Sequence, residues 1–346
     1  RPGVGGERAE RRVLSVADRP SFIALARRNT RRSWGLLAAT VVLLWLIIVA
    51  VGVLGFGSSF VPSVIVSLVI AVGYLLFAQR AAGRTALRMA GAHPAVGDEF
   101  LMLRNVVEEM AIAAGLPVPE VWVIDDAAPN AFAAGYRPEK AVVAVTTGLL
   151  SSLSRAELKG VIAHEMAHIR NRDIAVTTIS VVTVSAIMLL ADLLIRIGLY
   201  SSAGRRSRSN ERGATIPLAL IGFAILIVGL PLAIVLRAAL SRSRESLADA
   251  TAVELTRNPS GIRSALEKLE ADTREIRRIG AGMNSMWIES PADKAHGPTK
   301  FFAGLTDTHP PIAERIEILR AMEGLPAGER GPNDAFPAPS GPVQPF

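Results

Sequence analysis

The 346-residue chain contains no cysteine. That excludes a disulfide framework and leaves imidazole nitrogen and carboxylate oxygen to hold any metal ion. Histidine is scarce too, five residues in all. Basic residues are missing from one telling place, the turn Gly55-Phe56-Gly57-Ser58-Ser59 between two apolar runs. Arg27, Arg28, Arg31 and Arg32 precede the pair of runs, and Arg80, Arg84 and Arg88 follow it. Under the positive-inside rule this places both ends of the hairpin in the cytoplasm. The first run also lacks a convincing cleavage site and is longer than a signal-peptide core, the competing reading of such a segment.

What the chain does contain is apolar surface. Half of its residues are hydrophobic, and the mean hydropathy is +0.35 although 20% are charged. That balance does not suit a soluble protein and points to membrane segments. The run from Trp34 to about Phe56 and that from about Phe60 to Ala78 are each long enough, at ~1.5 Å per residue, to approach or cross a ~30 Å hydrocarbon core. Two further runs, Ile174–Leu199 and Ile216–Leu240, have the same character, with Asp192 and Arg196 spaced to pair within the first. Up to four transmembrane helices are therefore expected. Net charge is +7, with the arginines clustered beside the apolar runs. They read as topology signals and contacts to anionic lipid, not as a nucleic-acid surface. One cluster, Arg205, Arg206, Arg208 and Arg212, conflicts with four full spans, because it would lie outside.

Between the hairpin and the third run the chain turns soluble. Glu99–Ala114 has helical apolar spacing and ends at Gly115. Val118–Ile124 reads as a strand, and Ala131–Tyr136 and Ala141–Thr147 as a hairpin. The last of these, nearly all small or β-branched and directly ahead of the next helix, is a candidate edge strand for pairing with an extended peptide. A buried central strand is the alternative.

The next helix is the most specific feature. Ser154 with Glu157 forms a capping-box signature, and His164-Glu165-Met166-Ala167-His168 follows. Two histidines four apart on a helix share a face and can share one metal ion, with the intervening glutamate beside a metal-activated water. A catalytic zinc needs a third protein ligand. Glu245 is the best candidate, and Asp249, one turn on, could fix a ligand imidazole from behind. By pattern alone a solvated charged helix competes with this reading.

At these residues the chain resembles the HtpX-like membrane metallopeptidases, relatives of the CAAX prenyl proteases. The matching pieces are Asn130-Ala131-Phe132-Ala133-Ala134-Gly135, the H-E-x-x-H segment, Ser241 to Asp249, and His309-Pro310-Pro311 followed by Glu314-Arg315-Ile316. Ala134 and Ser246 depart from the usual residues. The resemblance implies one Zn2+ held by His164, His168 and Glu245, with Glu165 as general base, and a small gluzincin-type catalytic domain. It also implies a multi-pass protein of the bacterial inner membrane that faces the cytoplasm and cleaves misfolded or damaged membrane proteins. His309 and Arg315 are oxyanion candidates and Asn130 a substrate-orienting one.

The expected fold is thus an α+β membrane protein, mainly helical with a short β-sheet. Its expected divisions are a polar segment 1–33, a hairpin 34–80, peptidase parts 98–173 and 241–323 flanking an apolar helix pair 174–240, and a disordered tail 324–346. An intramembrane protease is disfavoured by Arg155, Glu157 and Lys159 before the motif and Arg170 to Asp173 after it. The non-enzymatic alternative is a zinc-stabilised scaffold or chaperone-like partner, although structural zinc normally has four ligands, often cysteines.

Overall fold

The computed structural model describes residues 41–55, 58–204, 218–229, 242–276, 286–289 and 311–325, with isolated positions 35, 38 and 39. Its soluble part is built on a four-stranded sheet. The strands are β1 (His93–Pro94), β2 (Glu120–Ile124), β3 (Ala131–Ala134) and β4 (Val142–Thr146), in the order β1-β2-β4-β3. β2 and β4 run parallel with Val121 opposite Val143, and β3 returns antiparallel on β4 with Ala131 opposite Val145. The hairpin expectation holds, with Pro138–Lys140 in its connection.

The candidate for an edge strand does not hold. β4 is the central strand, buried along its whole length, and β3 is the edge. The physical reason lies in its composition: V-V-A-V-T carries β-branched or small side chains on both faces, which suits a strand covered on both sides. Val143 and Val145 enter one core, Val142 and Ala144 another.

The first core lies between the sheet and the helices α3 (Leu101–Ala114), α5 (Arg155–Arg170), α9 (Pro259–Ala271) and α10 (Ile312–Glu323). Val107, Leu158, Ile162, Leu266 and Leu319 are fully out of solvent there. α4 (Thr147–Ser152) leads from β4 to α5, which begins with the expected capping box. The Ser154 amide donates to Glu157 Oε2 at 2.7 Å, and the Ser154 hydroxyl accepts from the Glu157 amide at 3.4 Å. Where α5 crosses α9, Gly160 is the point of contact, since a Cβ there would lie 2.5 Å from the Ile262 backbone nitrogen. Only glycine permits so close an approach.

The second core lies on the other face of the sheet. It joins Ile124, Phe132 and Ala144 to Ala86, Leu87 and Ala90 of α2 (Phe60–Ala90) and to Val181 of α6 (Asp173–Gly204). Both helices leave the soluble part and continue as apolar rods. There they meet α1 (Val41–Leu54) and α7 (Leu218–Gly229) around Leu44, Ile47, Val184, Ile187, Ile221 and Ile225. α6 and α7 touch at Gly222, where a Cβ would meet Ala191 O at 2.8 Å, the small-residue contact by which membrane helices approach. Outward-facing Val69, Leu189 and Ile227 are 68%, 69% and 72% exposed. Such a belt fits lipid and not water.

Among the described residues, one helix, Asp173–Tyr200, is long and apolar enough to cross a membrane. Val41–Leu54, Phe60–Tyr74 and Leu218–Gly229 are shorter apolar stretches, so four full spans are not seen. Arg196 does pair with Asp192 at 2.7 Å. The expectations for segment 1–33, the Arg205–Arg212 cluster and most of the tail lie outside the described residues.

Candidate metal centre

α5 is buried almost all round, an arrangement that carries His164 and Glu165 into the interior at 1% and 2% exposure. His164 and His168 sit one turn apart, their rings edge to face with centroids 4.7 Å apart. Their Nε2 atoms approach to 3.2 Å. α8 (Arg242–Thr256) packs across α5 and brings in Glu245 from its first turn, with carboxylate oxygens 3.4 Å from His164 Nε2 and 3.6 Å from His168 Nε2. Two nitrogens and an oxygen thus converge on one point.

A tetrahedral ion with bonds of about 2.0–2.1 Å keeps its ligand atoms roughly 3.3–3.4 Å apart. The two Nε2 atoms stand 3.2 Å apart, one Glu245 oxygen lies 3.4 Å from His164 Nε2 and the other 3.6 Å from His168 Nε2, and one ligand atom from each of the three residues lies within 4.8 Å of the other two. Two imidazoles and a carboxylate gathered this closely are a donor set that fits a zinc-sized ion.

Each ring is oriented from behind. His164 Nδ1 donates to Asp249 Oδ1 at 2.9 Å, and His168 Nδ1 donates to Asp173 Oδ2 at 3.4 Å. These bonds place a proton on each Nδ1 and turn both Nε2 atoms towards the common point, where a bound metal ion would take the place of any Nε2 proton. Asp249 is gripped in turn by Arg315, whose Nε and Nη2 donate to its two oxygens at 2.9 and 2.7 Å.

The charges follow from this geometry. Burial opposes a charge on Asp249, but the Arg315 guanidinium and the hydrogen bond from His164 outweigh it and hold the carboxyl down at about 2. Burial likewise opposes a charged His168, yet Glu245 and Asp173 drive its pKa up to about 10. The buried carboxylates around the two rings favour positive charge at this point. Burial raises the Glu165 carboxyl above the ordinary range, against the opposing pull of both histidines and of the Ala133 amide, which donates to it.

Of the residues singled out in the sequence, His164, Glu165, His168, Glu245, Asp249 and Arg315 come together. Arg315 lies behind His164, bound to Asp249, and not beside the converging nitrogens. Asn130 is buried at the start of β3, where its side chain holds the chain's own backbone at Glu289. His309 lies outside the described residues. Asp173 had no assigned role in the sequence reading. Its signal was present, an acid five residues beyond His168, but its usefulness depends on the turn at Arg172, where φ is +60°, which folds the first residue of α6 back onto the ring.

Comparison with known proteins adds the following. The profile of a family described as Peptidase family M48 matches residues 98–323. A protein named Protease HtpX homolog from Caldanaerobacter subterraneus subsp. tengcongensis is 42% identical over 249 residues, 72% of this chain and 81% of the relative. The Protease HtpX homologs of Listeria monocytogenes serotype 4a and Limosilactobacillus fermentum are 37% and 42% identical over 302 and 299 residues. Both alignments cover 85% of this chain, and 97% and 98% of those relatives. Among solved structures, S. mikatae Ste24p matches with a TM-score of 0.45 at 19% identity, over 86% of this chain and 67% of that one.

Proposed function

This chain belongs to peptidase family M48 and is a membrane metalloprotease, and from that premise we propose that His164, His168 and Glu245 hold its metal, a single zinc ion, with Glu165 as the general base. The observation that carries the reading is the convergence of the two Nε2 atoms, 3.2 Å apart, with the Glu245 carboxylate, one ligand atom from each residue lying within 4.8 Å of the others, a donor set that suits zinc. When bound, zinc supplies Lewis-acid polarisation of the scissile carbonyl and lowers the pKa of water towards neutrality.

The remaining work falls to the chain's own residues. Glu165 takes the proton of the attacking water on its carboxylate and passes it to the leaving amine. The Ala133 amide donates to this carboxylate and fixes its orientation from the sheet edge. Asp249 and Asp173 hold the two imidazoles in the tautomer that leaves Nε2 free to bind metal.

The substrates are polypeptides, and we place the cleft on the cytoplasmic face of a multi-pass bacterial inner-membrane protein that removes misfolded or damaged membrane proteins. The support is positional. α6 begins at Asp173, five residues beyond His168, and continues directly as an apolar helix. α2 ends in Arg80, Arg84 and Arg88 beside the sheet. A zinc-stabilised scaffold has less in its favour, because it has no use for a buried Glu165 held between the histidines.

Glu165→Gln tests the assignment. The purified variant should keep one zinc per chain and lose about 10²- to 10⁴-fold in cleavage of casein in detergent, the typical worth of a general base. Wild-type turnover in that variant would exclude Glu165 as the base. Chelator-resistant cleavage would exclude the metal.

A further inference from the structure

The segment 286–289 lies far in sequence from β3, yet it is buried and bonded to β3 on one side and to Arg315 of α10 on the other. Trp287 stands edge-on to Phe132 of β3, with ring centroids 5.0 Å apart. The Ile288 amide donates to Ala131 O at 3.0 Å, on the side of β3 that does not face β4. Asn130 grips the next residue at both of its peptide groups. Its Nδ2 donates to Glu289 O at 2.8 Å, and its Oδ1 accepts from the Glu289 amide at 3.2 Å. On the other side, Arg315 Nη1 donates to Ile288 O at 3.1 Å.

The contacts form one continuous path. It runs from Asn130 Oδ1, which accepts from the Glu289 amide, through the Ile288–Glu289 peptide to Arg315, then to Asp249 and to His164 Nδ1. Asn130, Arg315, Asp249 and His164 are all 3% exposed or less. Solvent screening is therefore weak along the path, and displacing one member leaves the next with an unmet buried polar group. The Arg315 fork spends Nε and Nη2 on Asp249 and Nη1 on the strap carbonyl. A lysine has one nitrogen and cannot span those positions.

We infer that Asn130 and Arg315 are positioning residues for the metal centre, and that the 286–289 strap between them transmits the orientation of the sheet edge to His164. The role assigned to Asn130 is to hold the strap and not a substrate, because both ends of its carboxamide are engaged by the chain's own backbone and the neighbouring Ala131 O is paired with Ile288. The inference rests on His164 being a metal ligand.

The test uses the full chain in detergent, with zinc affinity measured by competition against a chromophoric chelator. Loss of an outer partner of a metal ligand typically weakens binding about 10- to 100-fold. Arg315→Lys should fall in that range, and Asn130→Ala, one layer further out, near its lower end. The double variant should be no weaker than Arg315→Lys alone within about twofold, because the path is already cut. At saturating zinc, Asn130→Ala should lower kcat and leave KM unchanged. Wild-type zinc affinity in Asn130→Ala, or a raised KM with intact kcat, would overturn the inference in favour of a substrate-binding role.

A second measurement needs no variant. Linkage is reciprocal, so zinc added to the wild-type protein should slow amide hydrogen exchange at Ile288 and Glu289. Unchanged exchange there, with zinc bound, would also overturn the inference. If the wild-type chain itself binds no zinc, the ligand assignment fails instead, and the two failures are distinct.

Discussion

Single residues around the metal centre divide by what they touch. Asp173 acts on the outer nitrogen of His168 in the way Asp249 acts on that of His164. Asp173→Asn keeps the shape and removes the charge that favours the required tautomer. Zinc affinity should fall about 10- to 100-fold, read by chelator competition, with the apo-protein's melting temperature little changed. Glu157 affects stability instead. Burial opposes its charge, but hydrogen bonds from Lys268, Ser264 and the Ser154 amide outweigh it and lower its carboxyl pKa. A depressed carboxyl contributes stability above its unfolded value of about 4.3, and that contribution is lost as pH falls through the folded value. Glu157→Gln should therefore cost about 1 kcal/mol at neutral pH, and its unfolding curve should converge on that of the wild type in acid. The ligand pair was legible in the sequence because four-residue spacing on a helix dictates a shared face. Arg315 was legible as a residue of interest but not in its place, since nothing in its neighbours says that α10 would carry it behind His164.

Among the elements, α5 and its crossing with α9 carry the site. Gly160 lies one turn before His164, against the backbone of Ile262. A methyl group there would push α9 away, and overpacking of this kind typically costs about 1–3 kcal/mol. Gly160→Ala should lower the melting temperature without removing a single ligand atom, and its zinc stoichiometry should stay at one. The helix boundaries were readable from caps and breakers: Ser154 with Glu157 starts α5, and Gly115 ends α3 in the left-handed region. The order of strands was not. A run of small and β-branched residues describes a buried strand and an adhesive edge equally well. Only the pairing of β4 with β2 on one side and β3 on the other makes it central.

At the scale of the whole molecule, two long helices join a peptidase to an apolar bundle. α2 and α6 pack against the outer face of the sheet near Trp287 and then continue into lipid-suited surface. The absence of cysteine makes the topology directly measurable. With four spans, Ser58→Cys and Ser207→Cys should react with an impermeant maleimide added outside intact cells, and Glu139→Cys only after permeabilisation. Labelling of Ser207→Cys from the cytoplasmic side alone would mean that α6 and α7 do not cross. What the sequence determined by itself was chemistry with a short reach: a metal-binding helix face, caps, apolar runs, and the absence of any ligand other than nitrogen and oxygen. Each follows from residue type and spacing along one element. Tertiary structure decided what depends on distant parts of the chain meeting. It brought Glu245 within 3.6 Å of both histidines, turned Asp173 onto His168, and laid residues 286–289 between Asn130 and Arg315. Those contacts link residues as much as 159 positions apart, a separation at which local spacing carries no geometric information.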